Sequence, residues 1–183
     1  MRAFGKVAPG VPRIALFETA FFQEMEDRVT TYAVPHEWAE TEGFRRHGFH
    51  GASHRWASER VRALSGRKDL RHVSCHLGGS SSLAAVRGGT AVNTSFGMTP
   101  QCGLAQGNRC GDVDVFAVLH VMKRKGLGVD EVAEILGTRS GLLGISGVSG
   151  ESSLKLGGSS ASRPGWRLRG PFPASSALRT GSA

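Results

Sequence analysis

The chain is poor in cysteine, holding only Cys75, Cys102 and Cys110 among its 183 residues. Three is an odd number and no two form a C-x-x-C pair, so neither a disulfide framework nor a zinc knuckle is indicated. Reduced thiols are the expectation. No apolar run approaches the length of a membrane span, and the N-terminus lacks the h-region of a signal peptide. A cytoplasmic protein with no membrane partner is therefore expected. No Gly-Lys-Ser/Thr follows the glycine-rich segments, which excludes a Walker A loop. No G-x-S-x-G elbow surrounds Ser146 or Ser149, so a serine hydrolase finds no support. Aromatic residues make up 7% of the chain and do not interleave with the basic ones, which argues against nucleic acid as a partner. The net charge of +8 does not reverse that argument. Residues 151–183 carry Lys155, Arg163, Arg167, Arg169 and Arg179 against Glu151 alone, which places half of the excess in the last fifth of the chain.

What is abundant is glycine, 26 residues, which marks loops and turns. The length suits one domain with a real core and is short for a two-domain enzyme. Residues 13–17 (Arg-Ile-Ala-Leu-Phe) read as a short buried strand after the Pro9-Gly10-Val11-Pro12 turn. Polar and apolar residues mix through 18–34, and Pro35 ends that segment. A helix is expected over 53–65, capped by Ser53 and closed by Gly66. Residues 71–77 form a strand, and 82–87 with 91–95 form a hairpin around Gly88-Gly89. Asp112 is the expected cap of a helix that runs to Lys125, with Gly126 closing it, and a shorter helix covers about 129–136. Strands alternating with helices, plus a hairpin, indicate an α/β domain with a mixed sheet. Residues 151–183 are Ser, Gly, Pro, Ala and Arg with no period of 2 or 3.6. Such a composition cannot bury enough apolar surface to offset the entropy of ordering. The expected division is a folded region over 1–150 and a low-complexity, disordered tail over 151–183, whose abrupt start suits translation in a shifted reading frame.

Three stretches in fixed order carry the chemistry. The first is Gly48-Phe49-His50-Gly51-Ala52-Ser53-His54. A loop histidine held between two glycines suits a donor aimed at developing negative charge, and a solvated loop histidine is the bland alternative. Metal ligation by the H-x-x-x-H pair finds no nearby carboxylate at a zinc-enzyme spacing, so no metal ligand is assigned. The second stretch is His76-Leu77-Gly78-Gly79-Ser80-Ser81-Ser82 after an apolar strand. Its glycines let backbone N–H groups approach an anion and its hydroxyls add donors, although a tight β-turn has the same composition. The third, Asn108-Arg109-Cys110-Gly111-Asp112, offers an arginine able to meet a phosphate or carboxylate bidentately, or else to pair with Asp112 or Asp114. Glu18 follows the strand expected at 13–17 directly, a placement common for catalytic carboxylates at strand C-terminal ends, with a charge at a helix N-terminus as the bland alternative.

With these residues set out, Pro9 to Gly150 resembles the middle of the acetate/propionate kinase family. Phe17-Glu18-Thr19-Ala20-Phe21 is similar to the family's F-D-T-A-F stretch, and Gly48 to His54 to its G-F-H-G-T-S-H. His76 to Ser82 resembles H-L-G-N-G-x-S, Thr94 to Pro100 resembles D-T-S-M-G-F-T-P, and Gly107 to Asp114 resembles G-T-R-S-G-D-I-D. Gly141 to Gly147 matches a further block. The resemblance implies a partial actin-like, ribonuclease-H-like ATPase fold. It also implies reversible transfer of the γ-phosphoryl of ATP, with Mg²⁺, to a short-chain carboxylate such as acetate or propionate, giving an acyl phosphate, in a homodimer. By position Glu18 stands for the family's catalytic aspartate, and His50 and Arg109 for its transition-state stabilisers. His76, Leu77, Gly78, Gly79 and Ser80 stand for its ATP-phosphate loop.

The departures are specific. Glu18 is one methylene longer than aspartate, which displaces its carboxylate by about 1.5 Å. Gly79 and Ser80 replace an asparagine and a glycine, Asn108 replaces a threonine, and Phe22 stands where the family often has histidine. The family's flanking blocks have no counterpart here, so a truncated chain without activity of its own is expected. A non-catalytic remnant or partner-binding fragment is the alternative.

Overall fold

A computed structural model describes residues 2–151; the tail expected over 151–183 lies, apart from Glu151, outside the described residues. The chain opens with α1 (Arg2–Val7), then runs through 12–17 without regular secondary structure. The strand expected at 13–17 does not form. Ile14, Leu16 and Phe17 are exposed, because a lone apolar run has no ladder partner to satisfy its backbone groups. A 3₁₀ turn at Ala20–Phe22 follows, then α2 (Asp27–Thr30) and α3 (His36–Thr41), for which Pro35 is the N-cap.

α4 (Gly51–Ser65) begins two residues before the expected start. His50 is its N-cap, not Ser53, and Gly66 closes it in the left-handed conformation. The strands β1 (Arg71–Leu77), β2 (Ser81–Arg87) and β3 (Thr90–Thr94) make an antiparallel sheet in the order β1-β2-β3. Gly88 and Gly89, both at positive φ, form the two-residue hairpin turn. Among the described residues the mixed sheet is represented by these three antiparallel strands alone, since the segment 13–17 joins no ladder. α5 (Val115–Lys125) is capped by Asp114, whose Oδ1 accepts from Phe116 N and Ala117 N at 2.9 and 3.2 Å. Asp112, the expected cap, instead accepts from Gly103 N at 2.7 Å. α6 (Val129–Thr138) runs through Gly137, and α7 (Gly141–Ser146) is the last element of the described chain.

One face of the sheet is covered. Phe21, Phe22, Met25, Ala84, Val86 and Ala91 form the core there, with Val29 against it, and α4 lies beside β1 on the same side. The register sets His72, Ser74 and His76 on that face, while Val73 and Leu77 are exposed on the other. The apolar residues Val115, Phe116 and Leu119 of α5 are likewise exposed. Among the described residues no helix is long and apolar enough to cross a membrane.

Candidate active site

The turn into α4 is built to hold one side chain. Gly51 N donates to the carbonyl oxygen of Glu18 at 2.9 Å, and a Cβ on Gly51 would collide with that oxygen. Only glycine lets the Glu18 segment and the head of α4 come this close. His50, at φ 60 and ψ 29, is the one non-glycine at positive φ among the described residues. Such a conformation costs on the order of 1–3 kcal/mol and persists only where surrounding structure imposes it. Here the imposing structure is evident. The His50 ring lies stacked on His76 at 3.9 Å and is backed by fully buried Phe96 at 5.1 Å.

A serine–histidine cluster surrounds it. Ser82 Oγ lies 2.8 Å from His50 Nδ1 and 2.8 Å from His54 Nε2, and Ser74 Oγ lies 2.9 Å from His54 Nδ1. Ser53, released from capping, meets His76 Nδ1 at 2.9 Å. Burial holds His54 neutral, its pKa pushed down to about 4, with His50 and His76 adding charge repulsion. His50 is lowered mainly by burial, then by His76 and Arg109, and Glu18 opposes them. Glu18, His50, His76 and Arg109 therefore share one electrostatic neighbourhood. His47 stands apart and is exposed; its backbone N–H donates to Gly97 O. Both ring nitrogens of His54 are engaged by serines, and no group of three His, Cys, Asp or Glu suited to a metal ion occurs among the described residues.

The Gly78-Gly79-Ser80 turn joins β1 to β2. Gly78 N donates to Ser80 O, and Ser81 Oγ donates to Gly78 O. No hydrogen bond among the described residues uses the amide of exposed Gly79 or of half-buried Ser80, so two N–H groups remain free for an acceptor. Buried Gln106 ties this turn to Arg109. Its Oε1 accepts from Ser80 Oγ at 2.8 Å, from Ser81 N at 3.3 Å and from Arg109 Nη1 at 3.4 Å, while its Nε2 donates to Pro100 O at 2.9 Å. Arg109 Nη1 also donates to Ser80 Oγ at 3.2 Å and to Pro100 O at 3.3 Å. The rest of the guanidinium makes no hydrogen bond or ion pair among the described residues, and Asp112 and Asp114 hold backbone amides instead. Below the turn, Gly107 N donates to Gly79 O. A Cβ on Gly141 would strike Gln106 O and Arg109 O, so α7 can sit directly beneath this segment only with glycine at its head.

Thus the segments carrying His50, His76 to Ser80 and Arg109 converge, with Glu18 at the rim. Leu77 contributes backbone only; its side chain is exposed on the far face. Three contributors escaped the sequence reading of roles: His54, Ser82 and Gln106. The H-x-x-x-H spacing pointed at His54 but as a metal ligand, Ser82 was hidden in a serine run, and Gln106 had no local signal.

Comparison with known proteins agrees over the same stretch. The sequence profile of the Acetokinase family matches residues 1–155. The acetate kinase of Bacillus subtilis is 46% identical over 153 residues, covering 82% of this chain and 39% of that protein. That of Geobacillus kaustophilus is 44% identical over the same length and shares. Among solved structures, Porphyromonas gingivalis acetate kinase superposes with a TM-score of 0.78 at 40% identity, over 82% of this chain and 38% of that one. A propionate kinase from Francisella tularensis gives 0.80 at 33% identity, over 86% and 42%. The chain spans about two fifths of the length of these relatives.

Proposed function

The chain belongs to the acetokinase family, and from that premise we propose that its converging residues serve phosphoryl transfer between ATP and a short-chain carboxylate, acetate or propionate. A carboxylate oxygen attacks the γ-phosphorus in line as the bond to the β-γ bridging oxygen breaks; ADP leaves with that electron pair, and an acyl phosphate results. Little covalent work falls to the protein, so catalysis rests on positioning and on meeting charge spread over the equatorial oxygens. The free amides of Gly79 and Ser80, with His76, Leu77 and Gly78 shaping the turn, hold phosphate oxygens. Arg109 turns its unengaged donors toward the transferring group as a planar fork. Neutral His50 donates a ring N–H to the same group, and Glu18 lies at the edge from which the carboxylate approaches.

The observation that carries this reading is the Arg109–Gln106–Ser80 junction. It aims an arginine with spare donors at a turn with spare amides, an anion site made of two segments 29 residues apart. Mg²⁺ belongs to the proposal only as a companion of ATP. The described residues form no metal site of their own, and Mg²⁺ is commonly held by one or two carboxylates plus substrate phosphates. A cytoplasmic, homodimeric whole protein, and a boundary near Gly150 between this region and a separate tail, complete the proposal.

Isotope-labelled chain titrated with ATP and Mg²⁺ tests it. The Gly79 and Ser80 amides and the Arg109 side chain shift together and saturate if they bind the phosphates. A titration that leaves all three unmoved removes the loop from the site.

A further inference from the structure

The shared hydroxyl of Ser82 has a consequence for the proton on His50. Ser82 Oγ is within 2.8 Å of a ring nitrogen on both His50 and His54, yet it carries a single hydrogen. If it accepted from both rings its own hydrogen would be stranded, because Ser82 is fully buried and its Oγ has no other partner among the described residues, so it donates to one ring and accepts from the other. His54 is neutral and has one N–H, so its contacts to Ser82 and to Ser74 are also one donated and one accepted. The four groups then form a chain in which every bond points the same way, and two arrangements place the Ser82 hydrogen. In one, protons run outward: Ser74 donates to His54 Nδ1, His54 Nε2–H to Ser82, and Ser82 to His50 Nδ1. In the other they all run inward.

The two ends of the chain choose between them. Ser74 is 7% exposed, and His54 is the one hydrogen-bond partner of its Oγ among the described residues. Run inward, Ser74 would accept from His54 and its own buried O–H would have nowhere to go, a costly orphan. Run outward, that proton is placed, and only a lone pair goes unused. At the opposite end, the outward arrangement leaves His50 with its proton on Nε2, away from Ser82, available to an anion beside Arg109.

We propose that Ser74, His54 and Ser82 are positioning residues that lock His50 as the neutral Nε2–H tautomer, a fixed hydrogen-bond donor. The same chain opposes protonation of His50. An imidazolium needs its Nδ1–H accepted by Ser82, which strands one buried hydroxyl: that of Ser82 if it accepts from both rings, or that of Ser74 if every bond reverses. His54 is fully buried and Ser82 is too, so water cannot step in to repair the reversal. That this proton meets a transferring phosphoryl rests on the proposed function; the tautomer itself does not.

Long-range ¹⁵N–¹H correlation of the imidazoles in the nucleotide-free labelled chain reads the tautomer directly. The expected result is protonated Nε2 and bare Nδ1 on both His50 and His54. A Nδ1–H His50, or an even mixture of tautomers, overturns the proposal whatever the activity proves to be. Ser74→Ala supplies the remote control, since Ser74 does not touch His50. Its loss leaves His54 Nδ1 unpaired in either order, as a bare acceptor outward or a bare N–H inward, so the preference for outward order weakens and the His50 signals move toward a tautomer mixture in a folded variant. Unchanged His50 signals in folded Ser74→Ala also overturn it. If that variant fails to fold, the wild-type tautomer decides alone.

Discussion

Replacing Arg109 by lysine keeps the positive charge and removes the planar fork, which makes it a sharp probe of the anion site. In the structure one nitrogen, Nη1, spends itself on Ser80 Oγ, Pro100 O and Gln106 Oε1 at 3.2, 3.3 and 3.4 Å. All three acceptors are neutral and the contacts are long, so their loss costs stability no more than about 1 kcal/mol. The unengaged donors are the ones assigned to the transferring phosphoryl. Losing that contact costs on the order of 3 kcal/mol of barrier, about a hundredfold in kcat, with little change in KM for ATP. A longer vehicle is B. subtilis acetate kinase, 46% identical to this chain over 153 residues, with its matched stretch exchanged for residues 1–155 of this chain, the span of the family match. Hydroxamate trapping of acyl phosphate gives kcat, and denaturant unfolding gives the stability. If Arg109 only fastened Ser80 to Pro100, lysine would shift the unfolding midpoint slightly and leave kcat within a few fold. That result would refute the assignment.

His54 gives a pH signature of stability. Its folded pKa of about 4 lies below its ordinary 6.5, so the unfolded chain takes up a proton first as pH falls. Stability is whole above about pH 6.5 and declines toward pH 4, by at most about 3 kcal/mol. His50 and His72, also lowered by burial, pull the same way, and His54→Asn should flatten the slope in denaturant titrations run across that range. Gly51→Ala places a methyl against the Glu18 carbonyl; a loss of roughly 1–3 kcal/mol in unfolding free energy is expected, with altered His50 ring signals. Asp114→Ala removes both cap bonds of α5 and costs about 1 kcal/mol, whereas Asp112→Asn leaves the helix content measured by circular dichroism unchanged.

What could be read along the chain was what local rules decide. β1, the Gly88-Gly89 hairpin and the closures at Gly66 and Gly126 all form where periodicity and glycine placement put them. The segment 13–17 has a strand's composition, but a strand also needs a neighbour, and apolar content says nothing about one. The α5 cap moved because Asp112 and Asp114 are equally good caps in sequence. The Gly103 turn, nine residues away, takes the first. The same limit applies to the site. His50, Arg109 and the 76–80 turn stood out through their glycine setting and the family resemblance. Ser82, 28 residues from His54, and Gln106, 26 residues from Ser80, join these residues only through long-range contacts. Ser53 was assigned to the helix it would cap, and folding gave it to His76 instead.

The central claim is that this stretch of chain supplies the catalytic half of a carboxylate-directed phosphotransferase. The exchange protein carrying residues 1–155, with every residue intact, tests it most directly: acyl phosphate formed from ATP with acetate or propionate. The account predicts turnover far above that of the same protein with His50→Ala. A cooperatively folded exchange protein that forms acyl phosphate from neither acid would contradict it.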